Sequence, residues 1–318
     1  MQEVGGIVQV VENILKVGLR TATPLLLAAL GEIYAERSGI LNLGVEGMMM
    51  AGAIFSFLVA LWTKNPWLAI LAGMAAGMAI SLIHAVISIH LRGNQVVSGL
   101  ALTMFGVGLA SVVGRGYVGT PLPADARLPA RPLFEGAEDI PIIGKALLSQ
   151  DPVFYISIVL AVVLWYVLFK TRIGIVIRSV GENPAAADAL GVNVYLVRYA
   201  CTVFGGAMAG LAGAYLMVAI IPNWSETVLL MGRGWIAIAL VIFALWSPVR
   251  ALFGSYLFGV VERAGYTLQL HFKWSEWLLS AVPYALTIVI LVVGATERMR
   301  RRMGAPAALA VPYVRGEK

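Results

Sequence analysis

Residues 170–198 read KTRIGIVIRSVGENPAAADALGVNVYLVR, a basic, polar island between two strongly apolar runs. At its centre a short helix has both ends written in. Asn183 is a capping residue, Pro184 suits the first helical position, and Gly191 suits the closing position. Two turns of helix are not stable alone in water, so this segment must dock on something. What it docks on depends on the apolar runs to either side.

The chain has 318 residues, 60% hydrophobic and 13% charged, with a mean hydropathy of +0.86. A soluble domain carries about 25% charged residues, so this composition belongs in a bilayer. Runs of about 20 apolar residues, long enough to cross a hydrocarbon core, fall near 14–31, 40–62, 66–90, 95–118, 152–170, 199–220, 234–247, 251–270 and 276–295. The expected fold is all-α, a polytopic membrane bundle of about nine transmembrane helices, with residues 1–318 forming a single domain. The shortest break between spans is Trp246-Ser247-Pro248.

Net charge is +6, and the cations cluster between spans as the positive-inside rule requires. The charge therefore gives no reason to expect a nucleic-acid partner. Lys170, Arg172, Arg178 and Arg198 mark 171–198 as a cytoplasmic loop, and Arg298, Arg300, Arg301 and Arg302 mark 297–318 as a cytoplasmic tail. The same count places 119–150 and the N-terminus outside, which Lys16 and Arg20 fit poorly. The first 12 residues are instead expected along the interface as a mildly amphipathic helix. The start, MQEVGGIVQV, lacks the basic lead of a cleaved signal peptide, and no processing is expected.

In the outer segment, proline and charges of both signs predict an ordered extracytoplasmic cap with a surface-lying helix. It either covers the spans or receives an extracytoplasmic partner. Small residues spaced four apart (Gly73 and Gly77, Gly206 and Gly210, Ala209 and Gly213, Ser255 and Gly259) predict close helix packing.

No reactive constellation is legible. His84 and His90 stand six apart, off a shared helical face, and His271 is isolated. Cys201 is the sole cysteine, which excludes an internal disulfide and a cysteine-based metal site. Gly144-Lys145 is followed by Ala146, and Asp139 stands where a phosphate-binding loop wants its first glycine. This chain is expected to bind no cofactor. If ATP and magnesium drive it, another chain holds them. Asn223-Trp224-Ser225 matches a glycosylation sequon, a pattern short enough to recur by chance.

The densest polar group is GEIYAERSGILNLGVEGMMM, residues 31–50. Glu32, Glu36 and Arg37 are expected in a short connection where water or mutual pairing satisfies them. Asn42 and Glu46 are four apart, on a face continued by Ala53 and Phe57. Glu46 is either a buried carboxylate, paired with Arg37 or capping a broken helix, or a residue lining a translocation path or its inner gate. Gly39, Gly44 and Gly47 favour irregular backbone, which a membrane tolerates only beside protein or a water-filled cavity. A second stripe, Gln95, Gly99, Thr103 and Gly106, shares one face of the fourth span. It suits a neutral solute's pathway, or core packing. Trp224 is expected as an interface anchor, and Glu262 and Arg263 pair with unnamed partners.

Residues 31–50, the 171–198 loop and the following GGAMAGLAGAYL resemble the permease subunits of ABC importers in the branched-chain amino acid and simple-sugar group. The ERSGILNLGVEG wording most resembles the nucleoside branch, whose binding proteins are basic-membrane-protein-type lipoproteins. GRGWIAIALVIFALWSP is similar too, although Ala244-Leu245 stand where the family usually has a glycine and a basic residue. The resemblance spans about 14 to 296. It implies a multi-pass cell-membrane subunit paired with a second permease, the same or homologous. Two ABC ATPase subunits bind below and a solute-binding lipoprotein delivers cargo above. It further implies that Glu182, Asn183, Pro184, Ala185, Ala186, Ala187, Asp188 and Gly191 form the coupling helix seated in the ATPase. Asn42, Glu46, Gln95 and Thr103 are the expected path or gate residues. The alternative is a stand-alone secondary transporter or channel driven by an ion gradient. That reading wants paired intramembrane acids, and Glu46 has no counterpart at matching depth in the second half.

Overall fold

The computed structural model describes residues 2–134, 136, 140–225, 232–272, 285, 288 and 304–315. Of the expected spans, 276–295 falls outside the described residues except at 285 and 288, as do the tail arginines. Helices α1 (Gln2–Arg37), α2 (Val45–Thr63), α3 (Pro66–Ala85, ending in a π turn, Val86–His90) and α4 (Gln95–Gly114) are followed by a short α5 (Ile143–Leu147). Then come α6 (Pro152–Lys170), α7 (Arg172–Glu182), α8 (Pro184–Ala189), α9 (Val194–Tyr215, with a π turn, Leu216–Ile220), α10 (Arg233–Phe243) and α11 (Pro248–Phe272). Among the described residues, six helices are long and apolar enough to cross a membrane: those beginning at Val8, Val45, Pro66, Gln95, Pro152 and Val194.

The centre of the bundle is built from glycine contacts. Gly73 and Gly77 of α3 face Gly206 and Gly210 of α9 so closely that a Cβ on Gly77 would overlap the Gly206 carbonyl and lie 2.8 Å from Gly210 Cα. Gly213 packs on the backbone of Met49 and Ala53 in α2, and Gly259 of α11 on Gly18 and Ala22 of α1. Lipid tails are as apolar as leucine, so close van der Waals packing is what selects these neighbours.

Helix α1 differs from expectation at both ends. The first residues belong to it from Gln2 onward rather than to a separate interfacial helix, and at its far end it runs through Glu32, Glu36 and Arg37. Those two acids are 1% and 2% exposed, not solvated in a connection. Each has a protein partner, since Glu32 Oε1 accepts from Asn42 N (3.0 Å) and Glu36 Oε2 from the indole N–H of Trp246. The N-terminal half of α1 lies beside α5. There Glu12 pairs with Lys145 at 2.9 Å, and Gln150 Nε2 donates to the Lys16 carbonyl.

Arg20, awkward in the charge pattern, is neutralised. Its Nε donates to Asp151 Oδ2 (3.1 Å) and its Nη2 to the carbonyls of Ala219 and Leu128. Asp151 is fully buried, caps α6 through Phe154 N, and accepts from the Tyr215 hydroxyl at 2.6 Å.

The described residues between 118 and 150 lie over this end. Leu122 N donates to Pro222 O, Leu128 N to Val218 O, and Pro121 bridges to Asn223. Trp224 is fully buried, its ring 5.9 Å from Phe57 and pressed against Gly114. It plugs the bundle rather than anchoring at an interface. Arg127, Arg131, Gln150, Tyr155 and Trp67 line a cavity of about 480 Å³ between this cover and the helices.

Candidate functional site

At the opposite end, two structures carry the candidate residues: a pair of helix breaks inside the bundle, and the platform formed by α7 and α8.

The first break, residues 38–44, separates α1 from α2 within the protein interior, with Ser38, Gly39, Ile40, Asn42 and Gly44 all buried. Gly39 takes φ +94°, which a side chain would resist. Non-helical backbone at membrane depth must find its hydrogen bonds inside the protein, and polar side chains of α1, α3 and α4 provide them. Gln95 Oε1 accepts from Leu41 N (2.8 Å), Glu32 from Asn42 N, and Thr103 Oγ1 donates to Leu43 O (2.9 Å). His84 Nε2 lies 3.1 Å from Leu41 O, an atom that only accepts, so this nitrogen carries a proton. The other ring nitrogen meets Ser98 Oγ at 3.0 Å. Asn42 closes a local turn, its Oδ1 accepting from Gly44 N at 2.9 Å.

The second break precedes α10. This helix begins at Arg233 after Gly232, which sits at φ +79°, and it has no capping side chain of its own. Glu46, from the first turn of α2, supplies the cap across the bundle. Its Oε1 accepts from Gly232 N at 3.1 Å and its Oε2 from Gly234 N at 2.6 Å. A carboxylate at a helix N-terminus satisfies orphan donors and complements the helix dipole. Of the alternatives open for Glu46, the geometry matches the cap on a broken helix and not a pair with Arg37. Gly234 must lack a side chain, because a Cβ there would stand 2.6 Å from Glu46 Oε2.

The four expected path residues therefore converge, in a manner the sequence does not reveal. Asn42 shares no helical face with Glu46, because it precedes α2 and lies in the break. The stripe on α4 is the face laid against that break. Gly99 abuts Leu43, Gly106 abuts Gly47, and Gln95 and Thr103 hold the backbone between them. Gln95 is 3% exposed, and its Nε2 has no partner among the described residues. His84 is a hydrogen-bonded polar residue, as its lack of a second histidine on a shared helical face suggests, but neither it nor Ser98 could be placed at the break, since their only sequence signal is a polar residue inside an apolar run. The partners of Glu262 and Arg263 are Arg233 (3.3 Å) and Asn13 (3.5 Å).

The platform is built by successive caps. Thr171 Oγ1 accepts from Gly174 N to start α7, Asn183 Oδ1 from Ala186 N to start α8, and Asn193 Oδ1 from Leu196 N to start α9. Pro184 occupies the first position of α8, and Gly191, at φ +86°, closes the turn after it. Ala187 is buried against Val180, Val194 and Tyr313, while Ala185 and Ala186 are exposed and Leu190 is 85% exposed.

Beneath the platform runs a strap that nothing in the sequence announces. Residues 304–315 fold back along the helix ends. Ala308 N donates to Gly181 O (2.9 Å), Ala310 N to Gly39 O (3.1 Å), and Arg198 Nη1 to Val311 O (3.2 Å). Arg315 Nε reaches Asp188 of α8 at 3.1 Å, Tyr313 packs on Tyr195, and Ala307 N donates to Glu182. Arg37 donates to the carbonyls of Gly304, Leu245 and Trp246. The strap thus ties α8 to Gly39, the first glycine of the first break.

Among the described residues, six membrane-length helices, an interior break satisfied by neighbouring side chains and a capped two-turn helix outside the spans define a polytopic helical membrane protein. The chain belongs to the branched-chain amino acid transport system / permease component family, whose model matches residues 14–291. It is 37% identical over 330 residues to the guanosine ABC transporter permease NupQ of Bacillus subtilis, covering 98% of this chain and 99% of that one. It is 35% identical over 320 residues to the nucleoside ABC transporter permease NupC of Lactococcus lactis, covering 93% and 95%. Similarity also extends to TsgC13 of Haloferax volcanii, provisionally named a glucose ABC transporter permease, at 36% over 322 residues, covering 95% and 98%. The chain is a multi-pass cell-membrane permease of the ABC transporter type, which sets aside the stand-alone ion-driven alternative.

Proposed function

We propose that this chain is the membrane-spanning half of an ATP-driven importer of nucleosides, and that α8 is its coupling helix. The observation that carries the coupling assignment is the seat: a capped two-turn helix with Ala185, Ala186 and Leu190 exposed. In this reading an ATPase pair binds ATP and magnesium and closes on the face made by Glu182, Asn183, Pro184, Ala185, Ala186, Ala187, Asp188 and Gly191. A second permease completes the pathway, and a solute-binding lipoprotein docks on 119–150.

The strap gives the coupling a route. Displacing α8 drags Asp188–Arg315, and with it the segment bonded to Gly181 and Gly39. Gly39 opens the break held by Glu32, His84, Gln95 and Thr103, and α2 just beyond it carries Glu46, the cap of α10. Asn42, Glu46, Gln95 and Thr103 then act as the gate's internal hydrogen bonds. They are broken and remade with the helix ends rather than lining an open pore. Nucleosides are favoured as cargo by the names of NupQ and NupC, and a sugar is the second reading because TsgC13 is equally similar.

Ala186 is exposed, so Ala186→Glu leaves the fold intact. In vesicles carrying the whole importer, this variant is expected to keep assembly and ATP hydrolysis but lose guanosine uptake by tenfold or more. Wild-type uptake would overturn the coupling assignment. Competition by unlabelled glucose but not by nucleosides would transfer the cargo to the sugar reading.

A further inference from the structure

Along α7, Ile175, Arg178, Ser179 and Glu182 line, with Arg37 and Pro306, an open cavity of about 340 Å³. Both guanidinium groups stack on one aromatic ring, Arg37 at 5.6 Å and Arg178 at 5.4 Å from the centre of Phe169. Two like charges held on one ring repel each other, an arrangement that an anion between them relieves. Arg250 adds a third positive charge within electrostatic reach of Arg37, against the buried Glu36 and, among the described residues lining the cavity, Glu182. Arg37 is anchored by three carbonyls, whereas Arg178 donates only its Nε, to Gly174 O of its own helix. The terminal nitrogens of Arg178 have no partner among the described residues.

The position of the cavity selects the kind of anion. Phe169 is the last residue but one of a membrane-length helix, so the cavity sits at the hydrocarbon border. Beside it Lys170 lies over Trp165 at 5.9 Å, an aromatic and a cation at headgroup height. Helix α7 leaves Ile175, which lies three residues before Arg178 on the same helical face, 59% exposed, and Ile175 forms part of the cavity wall. An apolar side chain beside paired arginines matches an acyl chain beneath a phosphate, whereas a free anion has no use for Ile175. The volume lies at the small end for ligand pockets, about 300–1,000 Å³, so it admits a headgroup and not a whole lipid.

We propose that this pocket binds the phosphodiester headgroup of an anionic phospholipid of the cytoplasmic leaflet. Arg178 and Arg37 grip the phosphate, while an acyl chain runs along Ile175. Bound there, the lipid braces the junction of α6, α7 and the strap from the membrane side. The leaflet assignment rests on the orientation proposed above. The phosphate chemistry does not.

The test is native mass spectrometry of the full chain released from detergent, with phosphatidylglycerol or phosphatidylcholine added at equal concentration. The wild type is expected to retain phosphatidylglycerol preferentially, Arg178→Gln to lose about fivefold of that preference, and Arg178→Lys to restore most of it. Equal retention of the two lipids, or an unchanged preference in Arg178→Gln, overturns the proposal. Displacement of the lipid by millimolar inorganic phosphate would assign the site to a free anion instead. Loss of the lipid whenever the ATPase assembles would assign it to an acidic protein partner. A cysteine placed at Leu190 and labelled from one side of sealed vesicles reports the orientation separately, so an error there is distinguishable from an empty pocket.

Discussion

Replacing Glu46 with glutamine separates a gate built on backbone capping from one built on a lining side chain. The carboxylate uses both oxygens as acceptors, one for Gly232 N at 3.1 Å and one for Gly234 N at 2.6 Å. Glutamine has one acceptor oxygen, and its amide nitrogen would face the other N–H donor to donor. One charge-assisted hydrogen bond is lost and one buried donor is stranded, a cost of roughly 2 kcal/mol. At 1.4 kcal/mol per decade, that is about a 30-fold increase in the population with the α10 N-terminus released. Hydrogen exchange of the Gly232–Ile236 amides in the solubilised transporter is expected to accelerate by this factor. Amides in the second half of α10 should be unaffected. Guanosine uptake should fall without loss of assembly. If exchange in Glu46→Gln matches the wild type, the carboxylate does not hold α10, and the capping argument fails.

Further outcomes rest on contacts between other helices. Arg20→Met strands the fully buried Asp151 and is expected to cost about 3–5 kcal/mol, while the double variant Arg20→Met/Asp151→Asn recovers part of it. Additive losses on thermal unfolding in detergent would contradict the pairing. Gly77→Ala forces α3 off α9 and is expected to cost about 1–3 kcal/mol. Gly108→Ala, whose Cβ would meet nothing within 4 Å, is the matched control and should unfold like the wild type. Equal melting of the two variants would refute the close-packing account.

The parts of the chain that read correctly from sequence are those whose determinants are local. Asn183, Pro184 and Gly191 bound α8 because cap, first-turn proline and left-handed glycine act within a few residues of one another. The glycine pairs on α3 and α9 are likewise legible, because a spacing of four is enough to mark a close-packing face. The candidate site was legible as residue identities but not as an arrangement. A hydropathy run starting at 40 cannot show that the helix waits until Val45, since the residues of the break are themselves mostly apolar. Glu46 reaches a helix 186 positions away, and Glu36 finds its indole 210 positions away. No window of sequence contains either pair. Trp224 reads as a boundary residue because it follows a span, and only the fold shows it sealed beneath the cover. The strap is the plainest case. PAALAVPY carries no periodicity, and its binding is almost all through backbone atoms, which leave no trace in residue identity.

That strap also bears on how the protein is made. A ribosome delivers the chain from its N-terminus at about 5–20 residues per second. The groups that Ala308, Ala310, Tyr313 and Arg315 complete (the carbonyls of Gly181 and Gly39, the ring of Tyr195, the carboxylate of Asp188) are therefore all in place before their partners exist. The platform around α8 is completed only once residues 304–315 have been made. A chain halted before residue 304 would insert its helices and still lack the donors that Ala308 and Ala310 bring to the carbonyls of Gly181 and Gly39.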